Sequence, residues 1–150
     1  MTREKFIEIL KKKDYSYKIE GDKIVVTHKS EVSLDDLSSL PPGVVFKNNG
    51  VLSLRSLETL PLGVEFKNTN NVILNGLKTI HLGVEFMNER DVFLPPFQLL
   101  IIHPGVEFKN GLGVYFTSKP GWYALCESDI EGIESKRLLN VMIKQGVFER

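Results

Sequence analysis

Residues 60–68 read LPLGVEFKN, and the phrase returns as LPPGVVFKN at 40–48, IHLGVEFMN at 80–88 and IHPGVEFKN at 102–110. Its glycines, Gly43, Gly63, Gly83 and Gly105, are spaced 20, 20 and 22 residues apart. The same register aligns Val44, Val64, Val84 and Val106, then Phe46, Phe66, Phe86 and Phe108, then Asn48, Asn68, Asn88 and Asn110. A second set precedes each phrase: Val32, Leu52, Val72 and Val92; Leu34, Leu54, Leu74 and Leu94; Leu37, Leu57, Leu77 and Phe97. Stepping back one period from the first phrase reaches Ile24, Val26 and His28, and stepping forward from Val92 and Leu94 reaches Val114 and Phe116. The array therefore runs over 24–116, with degraded ends as terminal repeats have.

V-x-L and V-x-F alternate with period two, the pattern of a half-buried strand. Each is too short to stand as a hairpin arm. Two short strands and Gly/Pro punctuation within about 20 residues predict one turn of a solenoid, with coils stacked about 4.8 Å apart. The glycine column marks a tight corner or a positive φ, and the proline ahead of it in two coils stiffens that corner. Asparagine at a buried bend is expected to serve backbone groups left unpaired there, or its stacked copies in a ladder.

Both ends read as caps in a single domain. Thr2 caps a helix over 3–12 carrying Phe6, Ile9 and Leu10, and a hairpin turning at Gly21-Asp22, or at Glu20-Gly21-Asp22, completes an N-terminal cap over 1–23. A C-terminal cap over 117–150 is expected to hold a helix near 135–145. That helix presents Leu138, Leu139, Met142 and Ile143 and stops at Gly146, with capping-box spacing upstream at Ser128–Glu131. The fold class expected is mainly β with helical caps: a short β-solenoid of about five coils. Covering both ends matters, because open strand edges invite aggregation.

The composition is that of an ordinary globular chain: 42% hydrophobic and 25% charged, with 19 basic and 19 acidic residues. No net field draws it to nucleic acid or an anionic membrane. One cysteine, Cys126, excludes an internal disulfide and a cysteine-based zinc site. The stretch MTREKFIEILKKK has no continuous apolar region of the secretory kind, and no run approaches a membrane span. A cytoplasmic location is the expectation.

The string from Leu57 to Asn68, LETLPLGVEFKN, resembles the bacterial short leucine-rich repeat, with its L-x-x-L-P start and asparagine column, over roughly residues 34–110. Here, however, the asparagine follows the last apolar strand residue by two positions instead of three, and every unit holds a second V-x-L. The array also looks like tandem-repeat proteins encoded by bacteria and their phages. The resemblance implies a non-enzymatic recognition surface, often for another protein.

Candidate chemistry is sparse. His81 and His103 share one column, where they either fill corners or provide two metal ligands; no third ligand aligns with them. Glu65, Glu85 and Glu107 stack on an outward face with Lys47, Lys67 and Lys109 two residues on. They form either a solvated, charge-laced face or a charged docking surface. None of the common phosphate-binding, nucleophile-elbow or zinc-protease motifs is present, and neither a cofactor nor a catalytic residue is assigned. The count slips by two within LPPFQLLIIHP, residues 94–104. Leu94, Phe97 and one of Leu100 or Ile102 fill core columns, which leaves Leu99 and Ile101 over. These pack under the C-terminal segment or form an intermolecular surface; residues 95–103 are the place for a homodimer contact. Trp122 and Tyr123 seal the end of the core or form a binding hot spot.

The reading is a module that recognises a protein partner through a rigid face, with tentative contacts at Phe97, Leu99, Ile101, Trp122, Tyr123 and the Glu and Lys columns. Nucleic acid is not favoured, because the lysines are diluted by glutamates. The runners-up are a phage-borne inhibitor that blocks the nucleic-acid site of a host defence nuclease, and an enzyme.

Overall fold

A computed structural model describes residues 1–96, 99–116 and 132–149, with side chains in the last segment from Lys136 onward. The repeat folds as a β-solenoid of about five turns. A helix, α1 (Arg3–Lys12), and the strand β1 (Tyr17–Glu20) precede it. The first coil holds β2 (Lys23–Val26) and β3 (Val32–Ser33). The second holds β4 (Val44–Phe46), β5 (Leu52–Ser53) and β6 (Thr59–Leu60); the third holds β7 (Glu65–Phe66), β8 (Val72–Ile73) and β9 (Thr79–Ile80). The fourth holds β10 (Glu85–Phe86), β11 (Val92–Leu94) and β12 (Ile101–Ile102), and the fifth holds β13 (Glu107–Phe108) and β14 (Val114–Phe116). The helix α2 (Gly132–Lys144) closes the described chain.

Each strand of the coils pairs in parallel with its copy one coil away, and β1 adds to β2 antiparallel, giving three sheets around one core. Sheet A has six strands in the order β1-β2-β4-β7-β10-β13, sheet B joins β3-β5-β8-β11-β14, and sheet C joins β6-β9-β12. The third sheet departs from the two strands per unit read from the sequence. Its strands follow apolar residues spaced by three, as Leu57 and Leu60 or Leu77 and Ile80 are, so the sequence there displays no alternation. The pairing Thr59 with Thr79 keeps the 20-residue step, whereas Thr79 with Ile101 takes 22. Val72 with Val92 still steps by 20, so the insertion lies between Leu94 and Ile101.

The Val-x-Phe strands point their outer two residues inward. Phe46, Phe66, Phe86 and Phe108 form one interior row, with ring centroids 5.6, 4.8 and 4.4 Å apart and planes within 11°. Aliphatic columns fill the rest, including Leu40, Leu60, Ile80 and Ile102 from the corner that leads into or through sheet C. Leu100 is buried as well as Ile102, so the insertion supplies two core residues where one was expected.

The asparagine column works differently from a side-chain ladder. Asn68 Nδ2 donates to the Asn70 and Asn71 carbonyls of its own bend, at 3.0 and 3.2 Å, and to Gly50 O of the coil below at 3.0 Å. Asn48, Asn88 and Asn110 repeat this arrangement. Each amide thus ties two successive bends through backbone carbonyls, and none bonds its neighbour's side chain. Their Oδ1 atoms, though buried, accept no hydrogen bond.

Both ends of the stack are closed by side chains that act as the next strand would. Thr2 caps α1 by accepting from Lys5 N, and Phe6 and Leu10 enter the core. The hairpin pairs Glu20 with Lys23, leaving a two-residue loop in which Gly21 takes φ 64°; a type II′ turn wants glycine there. The Tyr15 hydroxyl accepts from Ser33 N at 3.0 Å and donates to Ser33 O at 3.2 Å, covering the lower edge of sheet B. At the other end, Asn140 Oδ1 accepts from Phe108 N at 2.8 Å and its Nδ2 donates to Phe108 O at 3.0 Å. Phe148 O accepts from Ile102 N at 3.2 Å, which closes the edge of sheet C. Helix α2 buries Leu139 and Ile143 with Met142 alongside, whereas Leu138, expected on the same face, is 51% exposed. Gly146 takes φ 77°, and the bonds from Gly146 N to Ile143 O and Val147 N to Met142 O end the helix in a Schellman motif.

Candidate docking surface

The outer face of sheet A carries the charged columns. Glu65, Glu85 and Glu107 stand in direct parallel register. In-register like charges repel, and cations one pleat away offset this where they exist. Lys67 meets Glu65 at 3.3 Å and Lys109 meets Glu107 at 3.3 Å. Lys23 from the hairpin adds a second contact to Glu65, at 3.0 Å. Burial pushes the Glu65 carboxyl up, but hydrogen bonds and charge from Lys23 and Lys67 outweigh it, and the net direction is down. The fourth coil differs, because Met87 stands where its neighbours have lysine. Among the described residues no cation lies within ion-pair distance of Glu85. Lys47 has no such partner on its own strand either, since Val45 takes the glutamate position there.

The corner from sheet C into sheet A holds the glycine column. Gly43, Gly63 and Gly83 have φ of 75°, 74° and 79°, and Gly105 has 98°. A Cβ at Gly63 would come no nearer than 3.9 Å to the coil below, so backbone conformation and not crowding calls for glycine. Just before the glycines, Leu62 and Leu82 stand outward on successive coils, 53% and 56% exposed, with Pro42 and Pro104 exposed in the same column. With no side chains at Gly43, Gly63 and Gly83, an open groove of about 640 Å³ forms beside this ridge. Leu62 lines it, and Asp22, Glu65, Glu85, Lys23 and Arg3 are its charged residues.

The insertion places the other expected contacts. Leu99 is 67% exposed, its N–H donating to Pro96 O at 3.0 Å. Ile101, left over in the column count, is half-buried in β12, paired with Thr79. The C-terminal segment does reach this region, through the Phe148–Ile102 bond. Phe97, Trp122 and Tyr123 lie outside the described residues, as do Cys126 and the Ser128–Glu131 capping box. His81 and His103 stack with centroids 5.1 Å apart and planes 8° from parallel, and among the described residues no three His, Cys, Asp or Glu side chains gather as a metal site. No described helix is long and apolar enough to cross a membrane.

Sequence reasoning treated the residue between the proline or histidine and the glycine as a free position, and so passed over Leu62 and Leu82. The signal was there: an apolar residue at the same place in two successive units, directly before a glycine that must turn the chain. Comparison of the chain with models of protein families, with curated proteins and with solved structures returned no match.

Proposed function

We propose that this chain is a non-enzymatic binding module that holds a protein partner along the corner between sheets C and A. The observation that carries this reading is the pairing, on adjacent coils, of exposed Leu62 and Leu82 with a groove whose wall includes Glu85, a carboxylate lacking a cation. An apolar ridge flanked by polar groups is the usual make-up of a protein contact. The complementary segment carries an apolar side chain for the ridge and a lysine or arginine for Glu85. A solenoid suits this work because its backbone is already ordered, so docking costs little further entropy.

The test is capture of a partner by the unmodified chain, compared with capture by the Leu62→Asp, Leu82→Asp double variant and by Leu99→Asp. The double variant is expected to keep its melting temperature, since both leucines face solvent, and to lose capture; Leu99→Asp is expected to keep both. Equal capture by the double variant, or loss with Leu99→Asp alone, places the contact elsewhere.

A further inference from the structure

Where α2 meets the last coil there is a second cleft, of about 380 Å³, walled by Lys109, Lys136, Arg137, Asn140 and the bend at Asn110 and Gly111. Three of these residues are cationic, and no carboxylate is among the described lining. Lys136 is 6% exposed, and among the described residues its Nζ makes one hydrogen bond, to Asn110 O. It has no ion pair among the described residues, and neither does Arg137. Burial pushes the Lys136 ammonium down, with the charge of Asp91 opposing. Asp91 is engaged elsewhere, its Oδ1 accepting from Gly113 N at 2.9 Å. Lys109 is shared with Glu107. Among the described residues, then, neither Lys136 nor Arg137 has an ion-pair partner in this concave site; Asp91 acts on Lys136 only at longer range, and Lys136 is largely removed from water.

A buried cation is costly unless something negative joins it. The cleft's volume falls within the range of small-molecule sites, roughly 300–1,000 Å³. We propose that this cleft binds a phosphate-class dianion, either inorganic phosphate or the phosphoryl group of a small monoester. Lys136 would supply a point charge from within, Arg137 its planar fork of donors at the rim, and Lys109 a third cation. Two cations without an ion-pair contact among the described residues match a dianion better than a lone carboxylate, and guanidinium geometry suits phosphoryl oxygens. Because its walls come from both α2 and the last coil, the bound anion would also fasten the C-terminal cap, so binding and stability are linked. This inference is independent of the corner ridge and of any protein partner.

Calorimetric titration of the full chain with inorganic phosphate and, separately, with phosphoserine, at constant ionic strength set with chloride, tests it. Saturable binding of either is expected, with a matching rise in melting temperature that chloride does not produce. Tighter binding of phosphoserine would identify a monoester as the ligand, and equal or weaker binding would identify phosphate itself. Arg137→Met, at an exposed position that leaves the core intact, should weaken binding at least roughly tenfold. Lys136→Met should weaken it as well. Absence of saturable binding by both anions, or binding that Arg137→Met leaves unchanged, overturns the proposal.

Discussion

The side-chain amide of Asn140 bonds both backbone groups of Phe108, accepting from its N–H at 2.8 Å and donating to its carbonyl at 3.0 Å. One amide thereby replaces the peptide group that a further coil would have offered. Strand edges left bare are templates for association. Asn140→Asp keeps the acceptor but turns the donor into an oxygen facing Phe108 O. A loss of about 2–3 kcal/mol is expected, with concentration-dependent association visible by light scattering. An unchanged melting temperature and a monodisperse sample would show that the edge needs no such cover.

The asparagine column makes a sharper demand on chemistry than on size. Asn68 donates to three backbone carbonyls and accepts nothing. Asn68→Ala should cost about 1–3 kcal/mol through the hydrogen bonds lost and the space left, although Gly50 O, Asn70 O and Asn71 O each keep a second donor, in Asn48, Asn88 and Leu52 N. The near-isosteric Asn68→Asp should cost more, because it sets oxygen against oxygen in a buried place. Urea denaturation of the two variants gives the order; an aspartate variant as stable as the parent would contradict the bonding described.

Glu65 has its carboxyl held below the ordinary carboxylate range by Lys23 and Lys67, against the opposing effect of burial. A depressed folded-state pKa contributes stability that is present above the unfolded value, near 4.3, and is lost as pH falls through the folded value. Between about pH 5 and pH 2 the parent should therefore lose more stability than Glu65→Gln, and the two should run parallel above pH 6. Acid unfolding curves that coincide in shape would remove Glu65 from the account of acid sensitivity.

At the glycine corner the expected cost comes from conformation. Gly63 has φ 74° and room for a methyl group. Gly63→Ala should lower stability by about 1–2 kcal/mol, the cost of holding an L-residue in the left-handed region. A chemical-denaturation midpoint equal to the parent's would mean the corner relaxes to another backbone shape.

What the sequence disclosed followed from periodicity, and what it hid came from contacts distant along the chain. The phenylalanine row, the turning glycines and the helix over 3–12 all follow from spacing, since every repeat restates the same local demand. Sheet C was hidden because Leu60 follows Leu57 by three positions, which shows no period-two alternation. The fate of Leu100, Ile101 and Ile102 was obscured for a related reason: an insertion breaks the register that assigned every other column. Asn140 and Lys136 carried no local mark, since their partners Phe108 and Asn110 lie 32 and 26 residues away. Met87 shows the reverse case. It was visible as an exception in the lysine column, but its consequence for Glu85 emerged only once Lys23, Lys67 and Lys109 were found at Glu65 and Glu107.

The whole architecture requires residues one period apart to sit side by side on neighbouring coils, as Glu65 and Glu85 do. Parallel neighbours about 4.8 Å apart lie within disulfide reach. In a Cys126→Ser background, oxidation of the Glu65→Cys, Glu85→Cys pair should form an intramolecular cross-link without loss of fold, and the off-register Glu65→Cys, Glu89→Cys pair should not. Failure of the first pair to close, or closure of both at the same rate, would contradict the solenoid.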